Sequence, residues 1–505
     1  MNFDKLKQTL ILPSWAAVFF LTVFSLFLPI YFGTKNFIFF DRSTVLDGAW
    51  RILLGQVPYR DFSIYFGPLL FYLQALFFKM FGITLFSGVL HAAVMNSVAT
   101  LLTFWGVRRF LGVSTGSAWA AAVLTAFWFY TPISWPWFEQ TGYLLLMASF
   151  LMAWTGNPIS LAFSGGLCAL TVLCKADIAI VSTCAMLGLL YFFHPPSGDN
   201  FKKNLFLFLG GYFFVLGLWL IFLLGTGSLH GAWFNLVVRP SQLGRFHRLL
   251  DLPRNLFLRP ALIVLFLGTF FGVTLFLKQP LSKNRPAYGL LIILSLAQIF
   301  CRQLSSVVSH AHLVFLGWMW LILKEGFKER RILMGILWCF FVYGGWKVSS
   351  ERLALYDSHP AFHQEFAMIS APEFKHIQIQ KGFAEDLEEL LTWGQKELRP
   401  EDRVLVLPSM SVLYFVWKKE PPHPFLFLDA GYSISRRLGD EEVLIHSIQS
   451  HKPKWLILES KKQVSDVSLE ELFDYFPRFY DYLRQVYVPT QSLSGYSILK
   501  WKGDP

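Results

Sequence analysis

FDRSTVLDGAWRILLGQVPYRDFSIYFGPLLFYLQALFFKMFG, residues 40–82, follows directly on a first apolar segment that begins near Leu10. A loop just outside a membrane span is ordinarily short and featureless. This one carries three aspartates (Asp41, Asp47, Asp61), two arginines placed to face a phosphate (Arg51, Arg60) and aromatic residues at nearly every turn. Carboxylates and guanidinium groups at a membrane surface suit chemistry on a substrate that is part lipid and part polar, with the guanidiniums facing a phosphate. The apolar piece at 64–82 is about half a span long and is expected to lie in, or dip into, the outer interface.

The remainder of the chain places this loop in a membrane protein. Of 505 residues, 54% are hydrophobic and 15% are charged, whereas a soluble domain is about one quarter charged. Apolar runs of about 20 residues, long enough to cross a bilayer core, recur along the first two thirds of the sequence. Spans are expected near 10–31, 84–107, 116–131, 141–156, 158–174, 178–194, 205–225, 260–277, 287–304, 310–323 and 332–348. The fold class is therefore a polytopic α-helical membrane protein of about 11 spans. The first span lacks a small-residue cleavage site before Tyr31, so it is read as a retained signal-anchor helix. Residues 1–348 form the expected membrane domain, with a first outer loop at 32–68, and 349–505 form an extracytoplasmic domain.

Basic residues set the expected orientation. Lys5 and Lys7, Arg108 and Arg109, Lys202 and Lys203, the Lys278–Arg285 group and the Lys324–Arg331 group all fall on one side if the N-terminus is cytoplasmic. The first loop and everything after residue 349 then face outward, at the inner (cytoplasmic) membrane of a cell. Residues 226–259 break the pattern. They should be outside, yet they carry Arg239, Arg245, Arg248, Arg254, Arg259 and His247 against a single Asp251. The loop reads either as a grip on an anionic lipid phosphate or as a solvated loop translocated despite its charge. The net charge of +11 is accounted for by topology signals and this loop, with no nucleic-acid module in view. The five cysteines (Cys168, Cys174, Cys184, Cys301, Cys339) all sit in apolar stretches without a CxxC pair, which is the pattern of buried free thiols.

From about Ser349 charges become frequent and apolar runs shorten to strand length. RVLVL (403–407), PFLFL (424–428), KWLIL (454–458) and a late pair near 486–488 and 496–499 read as strands. Helical patterns lie at 382–398, 440–450 and 467–485. The alternation predicts a small α/β layer domain. It lacks a glycine-rich phosphate loop, a nucleophile elbow or metal spacing, so its expected role is structural or acceptor-binding. No internal repeat stands out, which weakens a transporter reading.

An aspartate soon after span one, followed by GAWRILLGQVPYRDF and GPLLFYLQALFFKMFG, resembles the bacterial GT-C glycosyltransferases, including the protein-mannosyltransferase-like and aminoarabinose-transferase-like membrane enzymes. GGLCALTVLCKADIAI (165–180), CRQLSSVVSHAHLVF (301–315) and DRVLVLPSMSVLYFVWKKEPP (402–422) are similar to later segments of that family. The resemblance implies transfer of a sugar from a polyprenyl-phosphate carrier to an acceptor hydroxyl on the outer face, without a nucleotide sugar. It implies that a first-loop aspartate is the base or orients the acceptor, that basic residues hold the donor phosphate, and that a divalent metal (Mg or Mn) serves in some members. Asp41 occupies the place of that aspartate. Many relatives have an Asp-Glu pair there, whereas this chain has Asp41-Arg42 with Asp47 six residues on. If the segment is helical, the two carboxylates fall on different faces, so either is a candidate base.

The chemistry needs these residue types. A sugar hydroxyl must lose its proton as it attacks, which calls for a positioned carboxylate. The departing lipid phosphate gains negative charge, which Arg or Lys stabilises. Glu139, in PWFEQTGY, is the candidate second carboxylate. Candidate phosphate partners are Arg60, Lys175, Arg239, Arg245, Arg248 and Arg302. Lys175 and Asp177 read either as a functional pair in a span or as a snorkelling lysine held by its own aspartate. Asp61 and Arg60 act on substrate or pair locally and shape the loop. His310 and His312 read as hydrogen-bonded groups ahead of metal ligands. Trp128, Tyr130, Trp135 and Trp137 read as an interfacial aromatic belt. Two rival classes remain. A transporter or flippase of lipid-linked glycans predicts charges deep in several spans, and a non-catalytic scaffold predicts that Asp41 and Asp47 are dispensable. The expected partners are a polyprenyl-linked donor, an acceptor that is a glycan, lipid or protein, and membrane lipid.

Overall fold

The computed structural model describes residues 14–35, 39–155, 157–193, 200–242, 260–278, scattered positions between 288 and 299, 313–326, 330–351, 365–408, 410–426, 428, 434–459 and 469–503. By contacts the chain forms two compact units, each drawn from separated stretches of sequence. One comprises 1–32, 90–220 and 245–352; the other comprises 33–89, 221–244 and 353–505.

The first unit is helical. Ser14–Gly33, Thr115–Trp128, Phe138–Trp154, Pro158–Leu170, Ala176–Phe193, Pro260–Lys278, Leu316–Gly326 and Arg331–Glu351 occupy expected spans, joined by most of Leu85–Leu111 and Asn200–Gly225. Four helices among the described residues are long and apolar enough to cross a membrane: Trp15–Gly33, Leu85–Arg109, Phe201–Gly225 and Arg331–Ser350. Several others stop after four or five turns. Thr115–Trp128 ends before residue 131, and the next helix starts only at Phe138 after the Pro132 and Pro136 turn. Proline cannot donate an amide to a continuing helix. The expected span at 287–304 falls largely outside the described residues.

Buried polar groups tie this unit together. Asn96 donates to the carbonyl oxygens of Ser25 and Ala126, at 2.9 and 3.1 Å, and accepts from the Tyr130 amide at 3.0 Å. Where lipid tails are as apolar as Leu, such bonds and close packing of small residues replace the hydrophobic effect between helices. The 158–170 and 200–225 helices meet through glycines. A Cβ added at Gly165 would lie 1.9 Å from the Phe208 carbonyl oxygen, and one at Gly211 would lie 1.8 Å from that of Ala162. Backbone cannot yield as a side chain can. Gly165→Leu or Gly211→Leu is therefore expected to cost about 3 kcal/mol, read as a lowered unfolding temperature in lipid discs; an unchanged value would refute this contact.

Two expectations fail in this unit. Trp128, Tyr130 and Trp135 are buried, and Trp137 is half-buried, so they do not form an interfacial belt. Trp128 donates to the Phe341 carbonyl at 2.8 Å and the Tyr130 hydroxyl pairs with Thr141 at 2.8 Å. The proline-rich turn directs these rings into the unit. Cys168 and Cys174 are buried free thiols as expected, whereas Cys184 and Cys339 are exposed on helix faces; Cys301 lies outside the described residues.

In the second unit the strands of the C-terminal region form one sheet in the order β3-β4-β6-β5, where β3 is Val404–Leu407, β4 is Trp455–Glu459, β5 is Tyr487–Leu493 and β6 is Tyr496–Trp501. β3 and β4 run parallel, joined across by the Asp440–His451 helix, and the remaining pairs are antiparallel. The near-continuous apolar runs VLVL and WLIL are what strands covered on both faces require. Leu405, Leu407, Leu444, Ile448, Leu456, Phe476, Phe479 and Leu483 make the core between sheet and helices. The expected helix at 467–485 is broken into Leu469–Tyr475 and Pro477–Val486, because Pro477 interrupts the hydrogen-bond ladder and starts a new first turn. PFLFL does not join the sheet: Phe425 makes only an isolated bridge to Ser63. A further pair, β1 (Phe366–Met368) and β2 (Gln378–Gln380), is antiparallel and too short to stand out in the sequence.

Candidate active site

The first loop folds as two helices, Phe39–Leu53 and Leu69–Phe81, joined by an irregular segment. Asp41 and Asp47 both lie on the first helix. The Asp41 side chain lies outside the described residues. Asp47 is fully buried, as is Arg51 one turn later. Arg51 Nε donates to Asp47 Oδ2 at 3.1 Å, while its terminal nitrogens donate to the His423 and Phe425 carbonyl oxygens at 2.9 and 3.3 Å. Trp50 adds a bond to the Lys419 carbonyl at 2.8 Å. The guanidinium expected to face a phosphate is instead an internal tie, joining residues about 370 positions apart in sequence. Asp47 is the counter-charge that makes such burial tolerable. Burial raises the Asp47 carboxyl from its ordinary range to about 6, against the opposing pull of Arg51. Arg51 engages only Oδ2; Asp47 Oδ1 is buried and has no hydrogen-bond partner among the described residues.

Arg60 and Asp61 pair with each other through two bonds, at 2.9 and 2.8 Å, and Asp61 also accepts from the Val57 amide at 2.7 Å. The Arg60 hydrogen bond draws the Asp61 carboxyl below its usual range. Both side chains stay partly exposed. The local-pairing alternative describes what they do in this geometry: they close the 57–61 turn.

Arg239 is also internal to the second unit. Its two terminal nitrogens donate to the Asp440 carboxylate at 2.7 and 2.9 Å, and it lies over the rings of Phe234 and Phe425 at 5.5 and 5.8 Å. Asp440 opens the Asp440–His451 helix, where a carboxylate is favoured by the helix dipole. Arg239→Ala would leave Asp440 buried without its counter-charge. It is expected to destabilise the protein by about 3–5 kcal/mol in a denaturant titration, and a loss below about 1 kcal/mol would contradict this role. Arg245, Arg248, Arg302, His310 and His312 lie outside the described residues.

The first unit contains the other ionisable cluster. Glu139 sits in the first turn of Phe138–Trp154, and Lys175 and Asp177 sit at the start of Ala176–Phe193. Lys175 Nζ is bonded to Glu139 Oε1 and lies 3.4 Å from Asp177 Oδ2. Asp177 Oδ1 accepts from the Ile178 amide at 2.8 Å. Glu139 is almost fully buried, and its Oε2 has no hydrogen-bond partner among the described residues. The two readings of Lys175 and Asp177 thus merge with Glu139 into one group. Two carboxylates around one ammonium leave it formally negative when all are ionised, which disfavours a phosphate at Lys175. Sequence spacing did not foretell the Glu139–Lys175 contact across 36 residues.

The described residues, which leave out the Asp41 side chain, His310 and His312, form no ligand set for the divalent metal implied by the resemblance. Among the described residues no group of three or more His, Cys, Asp or Glu side chains converges. Glu139 and Asp177 are bridged by a lysine that would have to leave before a hard cation could take their oxygens.

No protein-family model matches the sequence, and no curated protein matches it. Among solved structures, ArnT from Cupriavidus metallidurans bound to undecaprenyl phosphate is similar over 95% of this chain and 97% of its own, with a TM-score of 0.51 at 11% identity. The same protein in the apo state gives 0.52 over 96% and 98%, again at 11% identity. The apo Archaeoglobus fulgidus oligosaccharyltransferase gives 0.47 over 88% of this chain and 69% of its own, at 10% identity. Over nearly its whole length, the chain shares the fold of ArnT from Cupriavidus metallidurans.

Proposed function

We propose that the protein is a multi-pass glycosyltransferase that moves a sugar from a polyprenyl-phosphate carrier to an acceptor hydroxyl on the outer face of the cytoplasmic membrane. The observation that carries this reading is the near full-length likeness to a protein solved with undecaprenyl phosphate bound. It is supported by an aspartate-bearing helix directly after the first apolar helix.

Asp41 is the base in this proposal, because Asp47 is committed to Arg51. The acceptor oxygen attacks the anomeric carbon of the donor, the carbon–oxygen bond to the lipid phosphate breaks, and Asp41 takes the proton of the acceptor. Glu139, anchored by Lys175, orients the acceptor or donor through its remaining oxygen. Arg245, Arg248 and Arg302 receive the charge of the departing phosphate. No step is routed through a metal. The N-terminus is cytoplasmic and the C-terminal α/β region extracytoplasmic.

The test is transfer of radiolabelled sugar from synthetic polyprenyl-phosphate donors by the purified protein in lipid, with and without EDTA. Donor turnover establishes the class, and its sensitivity to EDTA decides metal dependence. If no donor is consumed while lipid-linked glycan crosses the bilayer, the flippase alternative replaces it.

A further inference from the structure

Leu69–Phe81, the second helix of the first loop, is apolar on every side. Apart from the Tyr72 hydroxyl, its polar side chains are Gln74, which is buried, and Lys79 in the last turn, which is exposed. A helix that is apolar all round is normally enclosed, by protein or by lipid. This one is enclosed by protein on one side alone. Phe71, Gln74 and Phe78 are buried, whereas Tyr72, Leu76 and Met80, which follow one another down the opposite side at every fourth position, are 37%, 49% and 62% exposed. Its thirteen residues rise only about 20 Å, short of a hydrocarbon core of about 30 Å, so the helix does not cross a bilayer.

The neighbours of this stripe in the second unit indicate what covers it. The Tyr72 ring meets the Phe222 ring edge-on, with centroids 6.3 Å apart. Phe222 lies in the last turn of Phe201–Gly225, a helix long and apolar enough to cross a membrane, whose end from Ile221 belongs to the same unit as Tyr72. The stripe is thus continuous with the end of a helix that itself calls for lipid. Lys79 sits on the same side, where its ammonium can meet lipid phosphate while its stem stays among apolar groups. We propose that the face carrying Tyr72, Leu76 and Met80 is seated among the acyl chains of the bilayer where Phe201–Gly225 leaves it, with Lys79 at the headgroups. Helices seated in this way bury their apolar side about 5–10 Å deep. Phe71 lies directly over Gly48, and the two loop helices pack along each other. The seating therefore also sets the height of Phe39–Leu53, and with it Asp41, at the membrane surface; the value of that height for catalysis rests on the transferase reading.

The full chain in lipid discs is oxidised by hydroxyl radicals generated in the water phase, and the modified residues are mapped by mass spectrometry. Tyr72 and Tyr480 form an internal pair, because they are 37% and 36% exposed and both belong to the second unit. Tyr72 is expected to be oxidised at least about tenfold more slowly than Tyr480, a protection within what burial of an apolar stripe supplies. In discs containing a phospholipid with a diazirine in its acyl chain, illumination is expected to label the Tyr72, Leu76 and Met80 stripe and to leave Tyr480 unlabelled. Oxidation of the two tyrosines at similar rates overturns the proposal. So does protection of Tyr72 without acyl-chain labelling, which would mean that protein, such as a second copy of the chain, covers the stripe. Leu76→Glu sets a carboxylate among the acyl chains and is expected to raise Tyr72 oxidation at least about threefold; indifference to it also overturns the seating, and the comparison within the unmodified protein stands if this variant fails to fold. Donor turnover measured on the same discs separates the two readings: turnover with Tyr72 open to water removes the seating and leaves the transferase, and a protected, lipid-labelled Tyr72 without turnover does the reverse.

Discussion

Asp41→Asn is expected to lower sugar transfer by about 10²–10⁴-fold, the usual contribution of a positioned general base, while leaving the unfolding temperature unchanged. The asparagine keeps the size of the side chain and removes its capacity to take a proton. The argument rests on elimination within one helix. Phe39–Leu53 is helical, so positions 41 and 47 are separated by about 240° around its axis. Position 47 points into protein and one of its carboxylate oxygens is used by Arg51, so the proposed reading puts the base at position 41. Transfer by Asp41→Asn at the unmodified rate would sink the assignment. Loss of transfer together with loss of the fold would make Asp41 structural instead.

The second large effect is one of stability. Asp47→Leu leaves Arg51 Nε buried with neither an acceptor nor a counter-charge, and Arg51→Met leaves Asp47 buried without a partner; each is expected to cost about 3–5 kcal/mol. Replacing both, as Asp47→Leu with Arg51→Met, removes the two charges together and is expected to cost less than the sum by about 2 kcal/mol or more, a coupling of the size that neighbours in one network show. The carbonyl oxygens of His423 and Phe425 still lose their donor, so the double variant does not return to the starting stability. Transfer should persist in it. Strict additivity in a denaturant double-mutant cycle, or loss of transfer in a folded double variant, would show that Asp47 has a different role. Acidity offers an independent check. Burial raises the folded-state carboxyl from 3.8 to about 6. The folded protein therefore holds this proton more tightly than the unfolded chain. The stabilisation from this group is fully present below the unfolded value and is lost as pH rises through about 6. Comparing the pH dependence of unfolding in the original protein and in Asp47→Asn isolates that component; an identical dependence would contradict it.

Membrane class, the positions of most helices, and the RVLVL, KWLIL and late hairpin strands were legible in the sequence because each is decided by local pattern. A run of about 20 apolar residues excludes water wherever it is placed, and a buried strand needs a continuous apolar run. The first-loop motif also stood out, since carboxylates and arginines are costly next to a membrane unless something uses or pairs them. What use each serves was not local. Arg51 and Arg239 read as phosphate ligands because an arginine in a loop has no visible partner in sequence. Their partners, the 423–425 carbonyls and Asp440, stand about 370 and 201 positions away. Glu139 and Lys175 are 36 apart and meet only when their helices pack. Trp128, Tyr130 and Trp135 looked like part of an interfacial belt until the packing around that turn enclosed them. Composition and periodicity determine which segments must leave water, because that free energy depends on the segment alone. Which charge neutralises which depends on distances set by chain segments remote in sequence, and only the tertiary structure supplies those.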